Sequence, residues 1–229
     1  MKKKLALVLL ALALVAGLLW WLVPRGPGVT VELKDLPWDV TVYPDGSSEV
    51  FGVHFGVTTL RELTERLEAY PDVALFQAAD GGTSLEAYFG RVRFGVLDAR
   101  LVAILDASPE QLAIWAKAPT SDKPMPSGAR KLELSEAELL QAFDLPILEL
   151  TYVPYAQYEE DLVLRRFGEP SERIEVTPHS AYWLYPQRGL ALLLDREGRE
   201  VLEYGAPKRF EDLRARVLMR AEQARADGA

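Results

Sequence analysis

The longest unbroken apolar stretch lies at the start of the chain. Residues 5–23, LALVLLALALVAGLLWWLV, hold no charge and no strongly polar side chain. Beyond Pro24 the pattern changes to short alternating and short helical segments. VTVELKDL and WDVTVYP alternate apolar and polar positions with many β-branched residues, which predicts strands. Tyr43-Pro44-Asp45-Gly46-Ser47 has turn chemistry, and Glu49 to Phe55 continues as strand. Thr59-Leu60-Arg61-Glu62 is a capping box, and Leu60, Leu63 and Leu67 mark the buried face of the helix it opens. SLEAYFGRVRFGVLDARLVAILD predicts two or three antiparallel strands, with Gly90 and Gly95 as bulges or sharp twists.

Ser108-Pro109 opens a second helix, and Ser135-Glu136-Ala137-Glu138 a third that stops at Leu145-Pro146. Between them residues 118–130, rich in Pro, Ser and Gly, read as a linker. ILELTYV is a strand, and Tyr155 to Phe167 a helix ended by Gly168 with Pro170 just beyond. YWLYP, GLALLLD and REVLEYG follow as three strands. An amphipathic helix closes the chain, with Phe210, Leu213, Val217 and Leu218 on one face. The fold class is α+β: an N-terminal transmembrane helix, then antiparallel sheets with flanking helices. Helix, stop and strand meander occur in 49–106 and again in 147–204, so two related modules are expected, 29–117 and 131–206, with a terminal helix over 207–229.

The apolar run carries an address. At about 1.5 Å per residue, residues 5–23 span roughly 28 Å, close to the ~30 Å hydrocarbon core of a bilayer. A cleaved signal peptide needs a shorter core and a small-x-small site at its end, whereas this run ends in bulky Trp20-Trp21-Leu22-Val23. The reading is an uncleaved signal anchor, followed by a spacer over 24–28. Lys2, Lys3 and Lys4 on one flank place the N-terminus in the cytoplasm, and Trp20 and Trp21 then lie at the outer interface. The body therefore faces the periplasm, and the membrane partner is a bacterial inner membrane contacted through residues 5–23.

Charge and cysteine content narrow the body. The chain has 26 basic and 34 acidic residues. Setting aside Lys2, Lys3 and Lys4 leaves 23 basic against 34 acidic, a balance of −11. Such a balance argues against nucleic acid and against tight binding to anionic lipid. The absence of cysteine removes disulfides, thiolate metal ligands and thiol nucleophiles. A disulfide-free body outside the cytoplasm fits a bacterial envelope.

One stretch resembles a known module. LRRFGEPSERI (164–174), AYWLYPQRGLALLLD (181–195) and GREVLEYG (198–205) form a helix, a Phe-Gly-x-Pro stop, an aromatic strand and a strand with a glycine turn. In this they resemble the SmpA/OmlA outer-membrane-assembly lipoproteins and the β-lactamase-inhibitor-protein modules. The likeness covers residues 147–205, and this sequence has no lipidated cysteine. The resemblance implies a binding or scaffold module, or an inhibitor of a periplasmic enzyme.

Candidate chemistry is sparse. His54 and His179 have no triad or metal-ligand spacing around them, so no metal and no cofactor is expected. Glu159-Glu160-Asp161 reads as a solvated helix surface, with a glycan- or peptide-cleaving acid pair as the alternative. The aromatics carry more. Tyr152, Tyr155 and Tyr158 cluster at a strand-to-helix junction, and Trp183 and Tyr185 share one strand face. Either they pack the core or they form a partner-binding patch, since Trp and Tyr are favoured anchors. The expected function is a non-catalytic, membrane-anchored binding or scaffold role whose partner is a protein or other envelope component.

Overall fold

The computed structural model describes residues 35–78, 81–126 and 128–227. The apolar run, its flanking lysines and tryptophans, the spacer and the strand expected just after it lie outside the described residues. Among the described residues no helix is long and apolar enough to cross a membrane.

A small antiparallel sheet comes first: β1 (Thr41–Val42), β2 (Ser48–Val50) and β3 (Val53–His54). Helix α1 (Leu60–Leu67) begins at the expected capping box, where Thr59 Oγ1 accepts the Glu62 N–H and Glu62 accepts the Thr59 N–H at 2.8 Å. Strands β4 (Asp72–Gln77), β5 (Thr83–Phe94) and β6 (Leu97–Leu105) form a meander. Then come α2 (Pro109–Trp115), β7 (Ser121–Pro124), β8 (Arg130–Glu133) and α3 (Glu136–Phe143). The second half holds β9 (Ile147–Pro154), α4 (Glu160–Phe167), β10 (Glu172–Thr177), β11 (Ser180–Tyr185), β12 (Leu190–Asp195), β13 (Val201–Gly205) and α5 (Phe210–Asp227).

The two halves are not separate modules on a linker. Their strands form one ten-stranded antiparallel sheet in the order β10-β11-β12-β13-β9-β6-β5-β4-β8-β7. β6 and β9 pair from Ala99↔Pro154 to Leu105↔Ile147 and join the halves at the centre. The expected linker supplies β7 and the first residue of β8. Its polar SDKP sequence suits an outermost strand, where Pro needs no ladder partner and charge discourages further pairing. Helix α4 starts later than expected, at Glu160 rather than Tyr155. The Tyr155 N–H is held in the ladder by Asp98 O at 3.0 Å, and the Tyr158 N–H by the Glu200 carboxylate at 3.0 Å.

One face of the sheet, with Leu75, Leu85, Leu101, Leu150, Leu192 and Leu202, meets α1–α4 and the small sheet in a single large core. Phe51 holds its centre. Phe51 and Gly52 form the β2–β3 turn, both at positive φ (54° and 69°), a region unfavourable for Phe. The ring is 1% exposed and stacks on Phe94 (4.2 Å) and Tyr152 (4.9 Å), with its edge toward Tyr204 (5.8 Å). It thus touches β5, β9 and β13, on both sides of the central seam.

The opposite face is covered only in part. Phe210, Leu213, Val217 and Ala221 of α5 pack on Ile174, Tyr182, Leu184 and Ala191 of β10–β12. At the outer edge Arg225 Nε donates to Glu175 O at 2.9 Å, beside a register shift between Glu175 and Thr177. The α5 helix is aligned by arginines paired with strand carboxylates: Arg214 with Glu172 on β10 (2.8 Å), Arg216 with Glu149 on β9 and Arg220 with Glu203 on β13.

Phe51→Ala should destabilise the protein by about 3–5 kcal/mol, the usual cost of emptying an aromatic site in a core. Gly168 ends α4 at φ 81°, ψ −169°, a conformation essentially reserved for glycine, with open space where a Cβ would stand. Gly168→Val should therefore cost about 1–3 kcal/mol, all of it backbone strain. Equilibrium denaturation of both variants checks these values; a Phe51→Ala protein as stable as its parent would contradict the packing role.

Candidate functional site

Four of the five aromatics named from the sequence are core. Tyr152 and Tyr158 are 0% and 4% exposed, with their hydroxyls 3.4 Å apart. Trp183 lies beneath the Arg173 guanidinium, 4.1 Å from its ring centroid, and the Tyr185 hydroxyl donates to Gly168 O at 3.0 Å. Burial pushes the Tyr185 hydroxyl up to about 12. The exposed-patch reading fails for these four because their sheet face is the one that α4 and Trp38 cover; Trp38 packs on Tyr158 and Phe167. The exception is Tyr155, 40% exposed just past the end of β9. Lys2, Lys3, Lys4, Trp20 and Trp21 lie outside the described residues.

The polar groups named from the sequence show no catalytic arrangement. Ser47 Oγ donates to Asp45 Oδ1 at 2.6 Å and lies 2.8 Å from His54 Nε2. With its one proton given to Asp45, the hydroxyl must accept from His54, so the histidine is not placed to deprotonate it. Asp45 is held down to about 2, chiefly by the Ser47 hydroxyl and N–H, as in a closed Asx turn. Ser47 is buried, and His54 stacks on Tyr43 at 4.5 Å. His179 is exposed, 3.6 Å from Glu197. Glu160 faces Arg173 (3.8 Å) and Arg196 (3.3 Å) rather than a second carboxylate. Among the described residues no three His, Asp or Glu side chains converge as a cation site.

The open ground is the half of the second sheet face that α5 leaves bare. Ladder register places its residues in rows across β5, β6, β9 and β13. Tyr88, Val102 and Thr151 form one row that ends at Glu203, buried beside α5; Glu86 and Ile104 form the next, ending at Glu149 under Arg216. Tyr88 is 45% exposed. Toward the ends of β4 and β6 a groove of about 570 Å³ runs between this floor and α5, lined by Phe76, Glu86, Ile104, Leu112, Glu149, Arg216 and Arg220. Burial pushes the Glu203 carboxyl up, and Arg220 opposes that push.

At the other end of the same face stands a group of arginines. Arg91 and Arg100 are directly opposed on β5 and β6, with Arg93 opposite Asp98 in the next row. Asp98 accepts from Arg91 at 2.7 Å and from Arg93 at 3.0 Å, and these contacts hold it down to about 2. Arg91, Arg100 and Arg199 surround the Tyr155 ring with guanidinium carbons 5.1, 5.8 and 5.1 Å from its centroid. Sequence reasoning missed these arginines. The signal was present in GRVRFGVLDAR, where Arg91 and Arg93 share a face by period two, but the hairpin register that brings Arg100 opposite was needed to read it.

No family model matches the chain, and no curated protein or solved structure matches it.

Glu200 tests the packing behind Tyr158. It is 2% exposed, and burial, the largest influence, raises its carboxyl above the ordinary range. A raised folded-state pKa adds stability below the unfolded value, ~4.3, and that addition is lost as pH rises through the folded value. Glu200→Gln keeps an acceptor for the Tyr158 N–H and removes the charge. Relative to the parent, its melting temperature should therefore climb between about pH 4 and pH 7. A difference that falls over that range would show the ionised form to be favoured in place.

Proposed function

We propose that this chain is a non-catalytic binding or scaffold protein of the bacterial envelope. In this reading a helix over residues 5–23 holds it in the inner membrane with its N-terminus in the cytoplasm, and the α+β body works in the periplasm. The observation that carries the binding role is the half-covered second face of the sheet. β5, β6 and the end of β9 present Tyr88, Arg91, Arg100 and the exposed Tyr155 there, and among the described residues no helix lies above them. A monomer has little reason to leave an aromatic and several arginines together on a flat strand surface, whereas partner surfaces favour Tyr and Arg. The side chains elsewhere support the same reading, because the Ser47–His54 contact is wired in the wrong direction for a nucleophile. The membrane placement rests on the length of the apolar run and its lysine flank.

A photo-crosslinking residue placed at Tyr88 in the full chain tests both parts. In carbonate-washed membranes the protein should remain in the pellet and form a discrete adduct on irradiation. The same residue at Ile114, more exposed still but on α2 rather than on these strands, should form none. Release by carbonate would overturn the anchor; equal labelling at both positions, or at neither, would overturn the binding face.

A further inference from the structure

We propose that Arg91, Arg100 and Arg199, gathered round Tyr155, form a binding site for a phosphoryl group. The inference rests on the reading of this sheet face as a binding surface and names what one end of it takes. Arg91 and Arg100 are direct cross-strand partners. Like charges placed so oppose pairing, and nothing in the fold requires arginine at both positions. Arg199 adds a third cation from the β12–β13 connection, its Nη1 3.4 Å from Pro154 O. All three are exposed.

Compensation is incomplete. Asp98 is shared by Arg91 and Arg93. Among the described residues Arg100 and Arg199 meet no carboxylate within ion-pair distance; their shared contact is the Tyr155 ring. Four arginines against one aspartate leave a local excess of positive charge in a body whose overall balance is strongly acidic. A like-charge arrangement that its internal contacts compensate only in part points to a functional position.

The chemistry selects the ligand class. A guanidinium offers paired N–H donors that match two oxygens of one phosphoryl group. Arg91 and Arg100, direct cross-strand partners, stand side by side on one sheet face, and contact of these two and Arg199 with the Tyr155 ring limits the side-chain ordering that binding would otherwise require. A multiply charged oxyanion satisfies several guanidinium groups at once; a single carboxylate repeats what Asp98 already does. The phosphoryl group can belong to a soluble phosphate or to a lipid headgroup.

The test uses the full chain in phosphatidylcholine nanodiscs, titrated calorimetrically with pyrophosphate at low ionic strength. Saturable binding that weakens as salt rises is expected. Arg100→Gln with Arg199→Gln should weaken it by about tenfold or more, as loss of charge-assisted hydrogen bonds does. The double variant should melt close to the parent, since relief of like-charge repulsion offsets the loss of exposed contacts to Tyr155 and Pro154 O. Arg61→Gln, at an exposed pair with Asp144 elsewhere, should bind as the parent does. Nanodiscs containing phosphatidylglycerol separate the sources: lowered apparent pyrophosphate affinity assigns the headgroup, and unchanged affinity assigns soluble phosphate. No binding, binding unchanged in the double variant, or loss accompanied by a fall in melting temperature would overturn the site. Crosslinking from Tyr88 would still stand in that case, which separates failure of this inference from failure of the binding-face reading.

Discussion

The stacking of Phe51 between the two halves of the sheet is the contact on which the rest depends. A ten-stranded sheet joined only by backbone pairing at β6 and β9 would be free to twist about that seam. Phe51 enters from the small sheet and meets Phe94, Tyr152 and Tyr204 at once. The backbone accepts an unfavourable positive φ to deliver the ring, which is sustainable because the surrounding aromatic contacts fix it there. The central strands are thereby held together, and their opposite face becomes a fixed platform.

That platform is shaped by what α5 does and does not cover. Its apolar residues seat on β10–β12, while Arg216 and Arg220 reach sideways to carboxylates on β9 and β13. The ion pairs mark the helix's inner border. Past them the strands carry residues that no other element among the described residues shields, from the apolar floor of the groove to the arginines around Tyr155. Arginines flank the apolar stripe of the helix on both sides, Arg214 toward the outermost β10 and Arg216 and Arg220 toward the middle, and the inner row borders the solvent-facing part of the sheet.

Local signals were legible in the sequence. The caps at Thr59, Ser108 and Ser135 open α1, α2 and α3 where the pattern placed them, because a cap involves residues three apart. The Asp45 turn was equally clear. Long-range pairing was not. β4 and β10 passed without notice, and β7 looked like a linker, since an outer strand needs no apolar alternation to be held by its neighbour. The aromatic residues were found but their side of the sheet was not, because period two separates faces without saying which is covered. Tyr152 and Tyr155, three residues apart on one strand and its extension, point to opposite faces by period two; that the Tyr152 face is the buried one depends on Phe51 and Phe94 packed over it. The arginine group escaped for a similar reason, being assembled by a hairpin register and by Arg199 from a distant connection.

The outer edge of β10 has a consequence for assembly. A bare strand edge invites another strand, yet here the Glu175 carbonyl already receives Arg225 from the end of α5, and the ladder steps out of register beside it. At the far edge β7 ends in Pro124. A newcomer adding to the sheet would have to break the α5 contact on one side or meet a residue without an N–H on the other. Growth by backbone pairing is therefore hindered at both ends, which favours recognition through side chains over hydrogen-bonded strands.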